Sequence, residues 1–281
     1  MSGDQALQRP DRLALAGVSL VAVFAVMALA APLLATHDPA LIDAMRRLEE
    51  PSREHLFGTD NLGRDTFSRI IHGSRWSLGT VAISTALIMS IGVAVGTAAG
   101  YFGGLVDEIL MRVVDVLLAF PSLLLALAIA GTIGPGLTSV IAALVSVWWA
   151  SYARIVRGMV LSIREREFIQ AARGLGASDL HIVLRHILPN ILAPVAILAT
   201  VEMGELILAV AALGFLGLGA QPPAPEWGTM VNDARPFLLS NPRLMIYPGL
   251  AIGLAVVGFN LLGDGLRDRL DPRTRFGLQT R

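Results

Sequence analysis

Two carboxylates are candidates for chemistry because they lie within a long apolar stretch of the sequence. Glu202 and Glu205 are three residues apart, so a helix places them on one face around Gly204. A charge inside a membrane is costly and usually faces a bundle interior or an aqueous cavity. We therefore predict that both line a path through the membrane, where they favour a cationic end of a solute or relay protons. The alternative is a pair that is hydrogen-bonded to a neighbouring helix or subunit without touching solute.

The sequence lacks the signatures of several catalytic sites. It contains no Cys, and all 22 of its basic residues are Arg. Without Lys the phosphate-binding loop G-x-x-x-x-G-K-[ST] is absent, so ATP-driven activity requires another subunit to bind the nucleotide. We expect the chain to be no enzyme, to hold no cofactor or metal and to bind no nucleic acid. The His residues match no hydrolase motif and are scattered, at positions 37, 55, 72, 181 and 186; we expect the last two to be solvated surface residues.

A second candidate site is the stretch Phe168–Asn190, which separates two apolar runs and carries several charged side chains. Its apolar residues keep a helical rhythm on both sides of a break at Gly176-Ala177. The residues expected on the apolar face are Ile169, Ala172 and Gly176 before the break, and Leu180, Val183, Leu184 and Ile187 after it. We predict a helix-turn-helix that lies at the membrane surface, apolar on one side and basic on the other.

Capping signals mark the ends of the second helix in this stretch. Ser178 is placed to cap it, Asp179 falls in its first turn, and Pro189 is expected to end it. A bare connection between membrane helices needs only a few residues, so a longer one indicates a binding partner. The alternative is a simple amphipathic surface helix.

These residues belong to a strongly apolar chain. Of its 281 residues 54% are hydrophobic and 16% charged, and its mean hydropathy is +0.64, whereas about 25% of the residues in soluble domains are charged. We predict an all-α polytopic membrane protein, because six apolar runs are long enough to cross a bilayer, at residues 13–35, 79–104, 109–133, 137–156, 191–218 and 244–262. The first run exceeds the apolar core of a signal peptide, so we expect a retained helix rather than a cleaved signal.

The polar segments complete the predicted organisation. An N-terminal tail covers 1–12, a loop with an interfacial helix covers 36–77, and a C-terminal tail covers 265–281. The membrane core is expected at 78–264 and contains the polar stretch 158–190. On the interfacial helix, Asp65 and Arg69 are expected to pair at i, i+4.

Glycines and helix-breaking residues give further predictions for the membrane core. Gly92, Gly96 and Gly100 recur every four residues, a stripe that lets helices approach closely. Further expectations are a kink at Pro121, a turn at 134–136 and a short helix at 228–233.

The distribution of Arg predicts the orientation of the chain. With six spans both termini lie on one side, and an N-terminus inside puts 14 of the 22 Arg on the cytoplasmic side and 8 on the other. Six of those 8 lie in the loop before the second span, which also holds seven acids. Because cytoplasmic loops carry an excess of Arg and Lys, we predict cytoplasmic termini and a cytosolic stretch at 158–190. The loop at 36–77 is then extracytoplasmic.

The stretch also resembles the EAA loop of ATP-binding-cassette importer permeases. In that family the loop forms a coupling helix that docks into a groove on the ATPase subunit. Two positions depart from the family pattern: Gln170 stands where Glu is usual, and His186 where Ile is usual. Gln keeps the helix propensity and the hydrogen-bonding reach without the charge. The resemblance implies an ATPase-coupling role for Gln170, Ala171, Ala172, Arg173, Gly176, Leu188 and Pro189.

Other segments resemble the C-type permease of dipeptide, oligopeptide and nickel importers, and the resemblance covers most of residues 55–273. They are a GTD-x-x-GRD element at 58–65, the run from Phe215 through QPPAPEWGTMVNDARPFL, and FNLLGDGLRDRLDPR near the end. Val210 departs from the family, many of whose members carry an acid nearby. The resemblance implies the type I importer permease fold in a bacterial inner membrane, and extracytoplasmic positions for Thr59, Asp60, Arg64 and Asp65. The alternative for these four residues is capping and pairing alone.

The same resemblance implies partners. They are a second, B-type permease subunit, two ATP-binding subunits that carry ATP and Mg²⁺, and an extracytoplasmic solute-binding protein. In such folds the chain between spans five and six faces the binding protein, which places Pro222, Pro223 and Trp227 near it.

The sequence therefore predicts one half of the transmembrane path of an ATP-driven importer of di- and oligopeptides. Nickel or a nickel chelate is the alternative solute, because the PEWG and NDAR runs also look like those of nickel members. Two rival functions belong to other classes. One is a secondary transporter that uses Glu202 and Glu205 for protons, which predicts transport by this chain alone. The other is a membrane scaffold without a path.

Overall fold

The computed structural model describes residues 12–270, which fold mainly into α-helices. The predicted tail at 1–12 lies outside the described residues except for Arg12, and the predicted tail at 265–281 does so except for residues 265–270, which belong to the last helix. The helices are α1 (Arg12–Leu29), α2 (Ala31–Leu34), α3 (Thr66–Phe102), α4 (Gly104–Leu118), α5 (Ser122–Ile133), α6 (Leu137–Arg164), α7 (Glu167–Gly174), α8 (Asp179–Ile182), α9 (Leu188–Phe215), α10 (Trp227–Ala234) and α11 (Arg243–Leu270).

Several of these helices are long and apolar enough to cross a membrane. Four qualify singly, namely Thr66–Phe102, Leu137–Arg164, the continuous helix Asp179–Phe215 and Arg243–Asp268. The bent pair α4 and α5 makes a fifth if it counts as one span, and α1 is a shorter apolar helix. The prediction of an all-helical, multi-pass membrane protein is confirmed, whereas six spans and cytoplasmic termini stay predictions.

The predicted span at 109–133 is broken more sharply than a kink. The chain bends by 87° between α4 and α5. Pro121 lies in this break, as expected, because proline has no N–H and disfavours helical backbone in the residue before it. Its carbonyl then accepts the Leu125 N–H at 3.0 Å and starts α5.

The chain forms two compact units. One contains the chain up to Ala82, Gly134–Val140 and the chain from Thr200 onward, and the other contains Ile83–Ile133 and Ile141–Ala199. In the first, α1 packs closely on α11, where a Cβ added to Gly17 would lie 2.5 Å from the Leu262 nitrogen.

In the second unit the predicted glycine stripe forms the contact between α3 and α6. A Cβ added to Gly92 would lie 2.5 Å from the Tyr152 Cβ, and one added to Gly96 would lie 2.5 Å from the Ala153 carbonyl oxygen. At Gly100 the nearest atom would be the Arg157 carbonyl oxygen, at 2.9 Å. Each distance is too short for a real side chain, so the backbones approach as closely as they do only because these residues are glycine.

This contact generates a prediction for Gly96. Gly96→Ala forces the α3 and α6 backbones apart and destabilises the fold by about 1–3 kcal/mol, the usual cost of overpacking. Gly79→Ala on the same helix is the control, because nothing lies within 4 Å of its added Cβ. Thermal unfolding in detergent should separate the two variants, and equal stability would contradict the close contact.

Candidate functional site

The polar stretch folds as two short helices joined by a tight turn. α7 covers Glu167–Gly174 and α8 covers Asp179–Ile182. The Ser178 hydroxyl oxygen accepts the His181 N–H at 3.4 Å, and Asp179 follows in the first turn. The helix-turn-helix and the Ser178 cap are confirmed.

The turn is a glycine-dependent helix stop. Gly176 has φ +82° and donates its N–H to the Arg173 carbonyl at 3.0 Å, while Ala177 donates to the Ala172 carbonyl at 3.1 Å. This pair of bonds is the Schellman motif, in which the left-handed residue is usually glycine. The positive φ alone explains why residue 176 is glycine, because nothing in the chain lies within 4 Å of a Cβ added there.

The prediction that Pro189 ends the second helix is wrong. The chain passes from α8 through a π-helical turn at Val183–Ile187 directly into α9. The Leu188 N–H donates to the Val183 carbonyl, five residues back. Because the π-helical turn ends at Ile187, Pro189 is the second residue of α9, and proline is tolerated in the first turn of a helix.

The same turn changes which side chains are buried. Ile182, Ile187 and Ile191 are fully buried, whereas Leu180 and Leu184, which were predicted on the apolar face, are exposed. The step of five residues from Ile182 to Ile187 matches the π-helical turn. The ordinary helical period therefore predicted Ile187 correctly but missed Ile182 and wrongly included Leu180 and Leu184. The buried core also contains Ile169 from α7 and Tyr101, Val156 and Val160 from α3 and α6.

Polar bonds fix the stretch to this core. The Tyr101 hydroxyl donates to Asp179 Oδ1 at 2.6 Å, and the Arg173 guanidinium lies 5.7 Å from the centre of the Tyr101 ring. Arg164 donates to the Gly100 carbonyl at 2.8 Å, and Gln170 donates to the Arg164 carbonyl at 3.3 Å. Gln170 therefore has a local backbone partner that does not require the charge of Glu.

The surface of the stretch combines polar and apolar groups on this rigid base. Leu175, at the tip of the turn, is 89% exposed, and Phe168 is 42% exposed. Gln170, Ala171 and Arg173 are also exposed. Such a surface is suited to binding a complementary groove, since exposed apolar side chains at a tip gain most from burial.

Glu202 and Glu205 lie one turn apart on α9, as predicted. Glu202 is half-buried and Glu205 is exposed. A Cβ added to Gly204 would lie 2.5 Å from Asn260 Oδ1, so the Gly204 side of α9, which is not the side of the two carboxylates, packs on α11. Whether the two carboxylates line a path stays a prediction.

The GTD-x-x-GRD element is buried and internally paired. Asp60 accepts the Arg64 Nε–H at 2.7 Å and lies 3.3 Å from Arg69 Nε. The Thr59 hydroxyl donates to the Arg46 carbonyl and accepts the Glu49 N–H. All four of the predicted extracytoplasmic residues in this element are buried. Capping and pairing account for their side chains, and their extracytoplasmic position stays a prediction.

The expected pair between Asp65 and Arg69 does not form. The helix begins at Thr66, so Asp65 caps it from outside and accepts the Ser68 N–H at 2.7 Å. Its other oxygen bonds to His55 Nδ1 at 2.9 Å. Arg69 is consequently free to pair with Asp60.

The segment after α9 has a buried and an exposed part. Pro222 and Pro223 are exposed. Trp227 is fully buried, and its indole N–H donates to the Ile70 carbonyl at 3.0 Å. Of the three residues predicted on the binding-protein side, the two prolines are the ones with side chains at the surface.

Glu226 is a structural residue that sequence reasoning missed. Its fully buried carboxylate caps α10 by accepting the N–H groups of Gly228 at 2.7 Å and Thr229 at 2.9 Å. It also accepts the Ser77 hydroxyl at 3.2 Å. Burial raises the pKa of the Glu226 carboxyl, and these hydrogen bonds oppose the rise. An acid just before the predicted helix at 228–233 was the available signal.

Two family models match the chain. One is described as a binding-protein-dependent transport system inner membrane component and matches residues 92–276. The other is described as the N-terminal transmembrane domain of oligopeptide transport permease C and matches residues 9–51.

Individual proteins are also similar. A dipeptide transport system permease protein of Alkalihalophilus pseudofirmus is 46% identical over 95% of this chain and 88% of its own length. A nickel transport system permease protein of Escherichia coli is 43% identical over 90% of this chain and 91% of its own length. A solved structure of the MetNI methionine ABC transporter shares the fold, with a TM-score of 0.56 at 19% identity over 73% of this chain and 98% of that one.

The Glu226 cap generates a prediction. Glu226→Ala leaves two backbone N–H groups without an acceptor in a buried place, so we expect a loss of about 2–4 kcal/mol. Asp43→Ala is the control, because Asp43 caps a short helix in the same way, through the Met45 N–H, but at an exposed position; its loss should be about 1 kcal/mol or less. Chemical unfolding of the purified chain measures both, and a loss at Glu226 no larger than at Asp43 would refute the structural role.

Proposed function

The chain belongs to the family of binding-protein-dependent transport system inner membrane components, and from that premise we propose that it forms half of the transmembrane path of an ATP-driven importer of di- and oligopeptides. In this proposal it has six membrane-crossing segments with cytoplasmic termini and pairs with a second permease subunit. Two cytosolic subunits bind ATP and Mg²⁺ and hydrolyse the ATP. An extracytoplasmic binding protein delivers the solute.

The coupling stretch, residues 158–190, supports the part of the proposal that concerns ATP. The strongest support is the exposed side chain of Leu175, which lies at the tip of a Schellman turn. The helices on either side of this turn are anchored by the buried Ile169 and Ile182. A tip of this kind fits an apolar groove on an ATPase subunit, and a rigid base transmits the movement of that subunit. Arg173 and Gln170 flank the tip and supply polar contacts.

The mechanism follows from this attachment. When ATP closes the two ATPase subunits, the coupling stretches of the two permease subunits move with them, and the membrane helices turn to open the path outward. A ligand shifts such an equilibrium only through its different affinity for the two states. ATP and the loaded binding protein provide that difference, and the permease needs no nucleotide site of its own.

We assign the path-lining role to Glu202 and Glu205. A peptide carries an ammonium group at its amino end, which the two carboxylates would attract, and a nickel ion is attracted by the same charge. The relatives include both a dipeptide and a nickel permease at similar identity. Peptide is the first choice, with nickel as the alternative.

The coupling proposal predicts the effect of Leu175→Asp. Placing a charge in the proposed groove should weaken the association of the ATPase subunit by a factor of about 30, corresponding to about 2 kcal/mol for an interface anchor. Leu239→Asp is the matched control, because Leu239 is 100% exposed in the loop before α11. Co-purification of the ATPase subunit with this chain is the measurement, because Leu239 lies in the segment expected to face the binding protein and could alter stimulation for that reason. Equal behaviour of the two variants would contradict docking through the tip.

A second pair of variants separates strain from docking at Gly176. Asn tolerates the left-handed conformation, so Gly176→Asn should retain most of the ATPase stimulation by loaded binding protein. Gly176→Arg adds both strain and bulk and should abolish stimulation while the chain still inserts into the membrane. Normal stimulation in Gly176→Arg would overturn the docking assignment.

Uptake in a strain without this chain, and after complementation, tests the solute. Labelled dipeptide, longer peptide and nickel are offered in parallel, together with Glu202→Gln and Glu205→Gln in the complementing copy. Loss of peptide uptake alone supports the first choice, and loss of nickel uptake alone replaces it. Transport by the purified chain without ATPase subunits would instead support a proton-coupled secondary transporter.

A further inference from the structure

The loop before α3 brings together two histidines that are distant in sequence. His37 and His55 have ring centres 4.6 Å apart. With the neighbouring Glu54 they form a group in which one ligand atom from each residue lies within 4.8 Å of the others. Sequence spacing concealed this group, because the loop folds back on itself to form it.

A buried carboxylate prepares His55 to act as a ligand. The Asp65 side chain is 1% exposed and accepts the proton on His55 Nδ1 at 2.9 Å. Its second oxygen is fixed by the Ser68 N–H. This bond selects the tautomer of His55 that leaves a lone pair on Nε2, which is the arrangement that carboxylates impose on metal-binding histidines.

The other two members of the group are able to move. The His37 and Glu54 side chains are 30% and 59% exposed. Tetrahedral coordination with bonds of about 2.05 Å requires donor atoms about 3.4 Å apart, so the group, whose ligand atoms lie within 4.8 Å of one another, must contract by at most about 1.4 Å. Rotation of the exposed Glu54 and His37 toward the fixed His55 achieves this.

Arg46 holds the position that a cation would take. Its guanidinium pairs with Glu54 and lies 3.3 Å from His55 Nε2. The same pairing lowers the pKa of the Glu54 carboxyl. Arg46 is 40% exposed and has a second acid, Asp43, at 3.7 Å, so it has another partner when it leaves Glu54.

We propose that His37, Glu54 and His55 form a binding site for a divalent transition-metal ion, with Arg46 competing for the same carboxylate. Two imidazoles and one carboxylate suit Zn²⁺ or Ni²⁺ and do not suit Mg²⁺ or Ca²⁺, which prefer oxygen ligands alone. Bound metal would connect His37, near the start of the loop, to His55, which lies within the loop. The site goes beyond the proposed function and does not depend on it.

The test is a titration of the full-length chain, purified in detergent without a histidine tag. The background carries His181→Ala and His186→Ala, because the rings of the exposed His181 and the half-buried His186, 5.6 Å apart, are another possible ligand set. Zn²⁺, Ni²⁺ and Mg²⁺ are titrated separately by calorimetry, without ATP or solute. We expect one Zn²⁺ or Ni²⁺ per chain, no Mg²⁺, and an X-ray absorption spectrum with two imidazole ligands.

Variants that are expected to change the metal affinity in opposite directions make the test specific. His37→Ala and Glu54→Gln should each weaken binding at least 10-fold, and Asp65→Asn should weaken it about 10–100-fold through the orientation of His55. Arg46→Gln should strengthen binding, because it removes the competing cation. Unchanged thermal unfolding of the metal-free His37→Ala and Glu54→Gln variants shows that their losses are not caused by misfolding.

Two results would overturn the site. One is equal Zn²⁺ and Ni²⁺ affinity in the background protein and in its His37→Ala derivative. The other is an affinity that Arg46→Gln leaves unchanged or lowers. Because the readout is binding of the metal alone, its failure leaves the importer proposal intact, and failure of peptide uptake leaves the metal site intact.

Discussion

The contact between α3 and α6 determines the position of the coupling stretch. Lipid offers no hydrophobic driving force between helices, so their association depends on close packing, and three glycines allow it here. Gly100 also supplies the carbonyl that accepts from Arg164, and the next residue, Tyr101, bonds to Asp179. The residues that bring the helices together are thus adjacent in sequence to those that hold the stretch, and a displacement of one would move the other.

The first unit satisfies a different constraint, the burial of charge. Asp60 is paired with two arginines, Arg64 and Arg69, and Glu226 accepts backbone N–H groups. A buried charge is tolerated when it is paired and hydrogen-bonded, and removing one partner is costly. Sequence elements that resemble a family signature therefore have an evident structural reason in this chain. The prolines at 222 and 223, in contrast, have exposed side chains and remain accessible to a partner.

Local signals in the sequence were sufficient for local features. The Ser178 cap, the glycine stop at 176 and the spacing of Gly92, Gly96 and Gly100 each depend on residues a few positions apart, and all are present in the structure. Features that involve a change of helical period or distant contacts were missed. Because of the π-helical turn, Ile182 is buried together with the correctly predicted Ile187, and Leu180 and Leu184 are exposed. No periodic pattern could indicate the bend of 87°, nor the meeting of His37 with His55.

The proposed path helps to explain how similar permeases can serve different solutes. The chain is about equally similar to permeases named for dipeptide and for nickel transport. These two solutes share little except positive charge, which a dipeptide carries at its amino end and a nickel ion carries as a whole. Conduction requires binding that is strong enough for entry and weak enough for exit. On the proposed function, Glu202 and Glu205 supply attraction by charge without a shaped pocket. The binding protein then selects between solutes, because tight binding to that protein does not slow the release of a solute from the path.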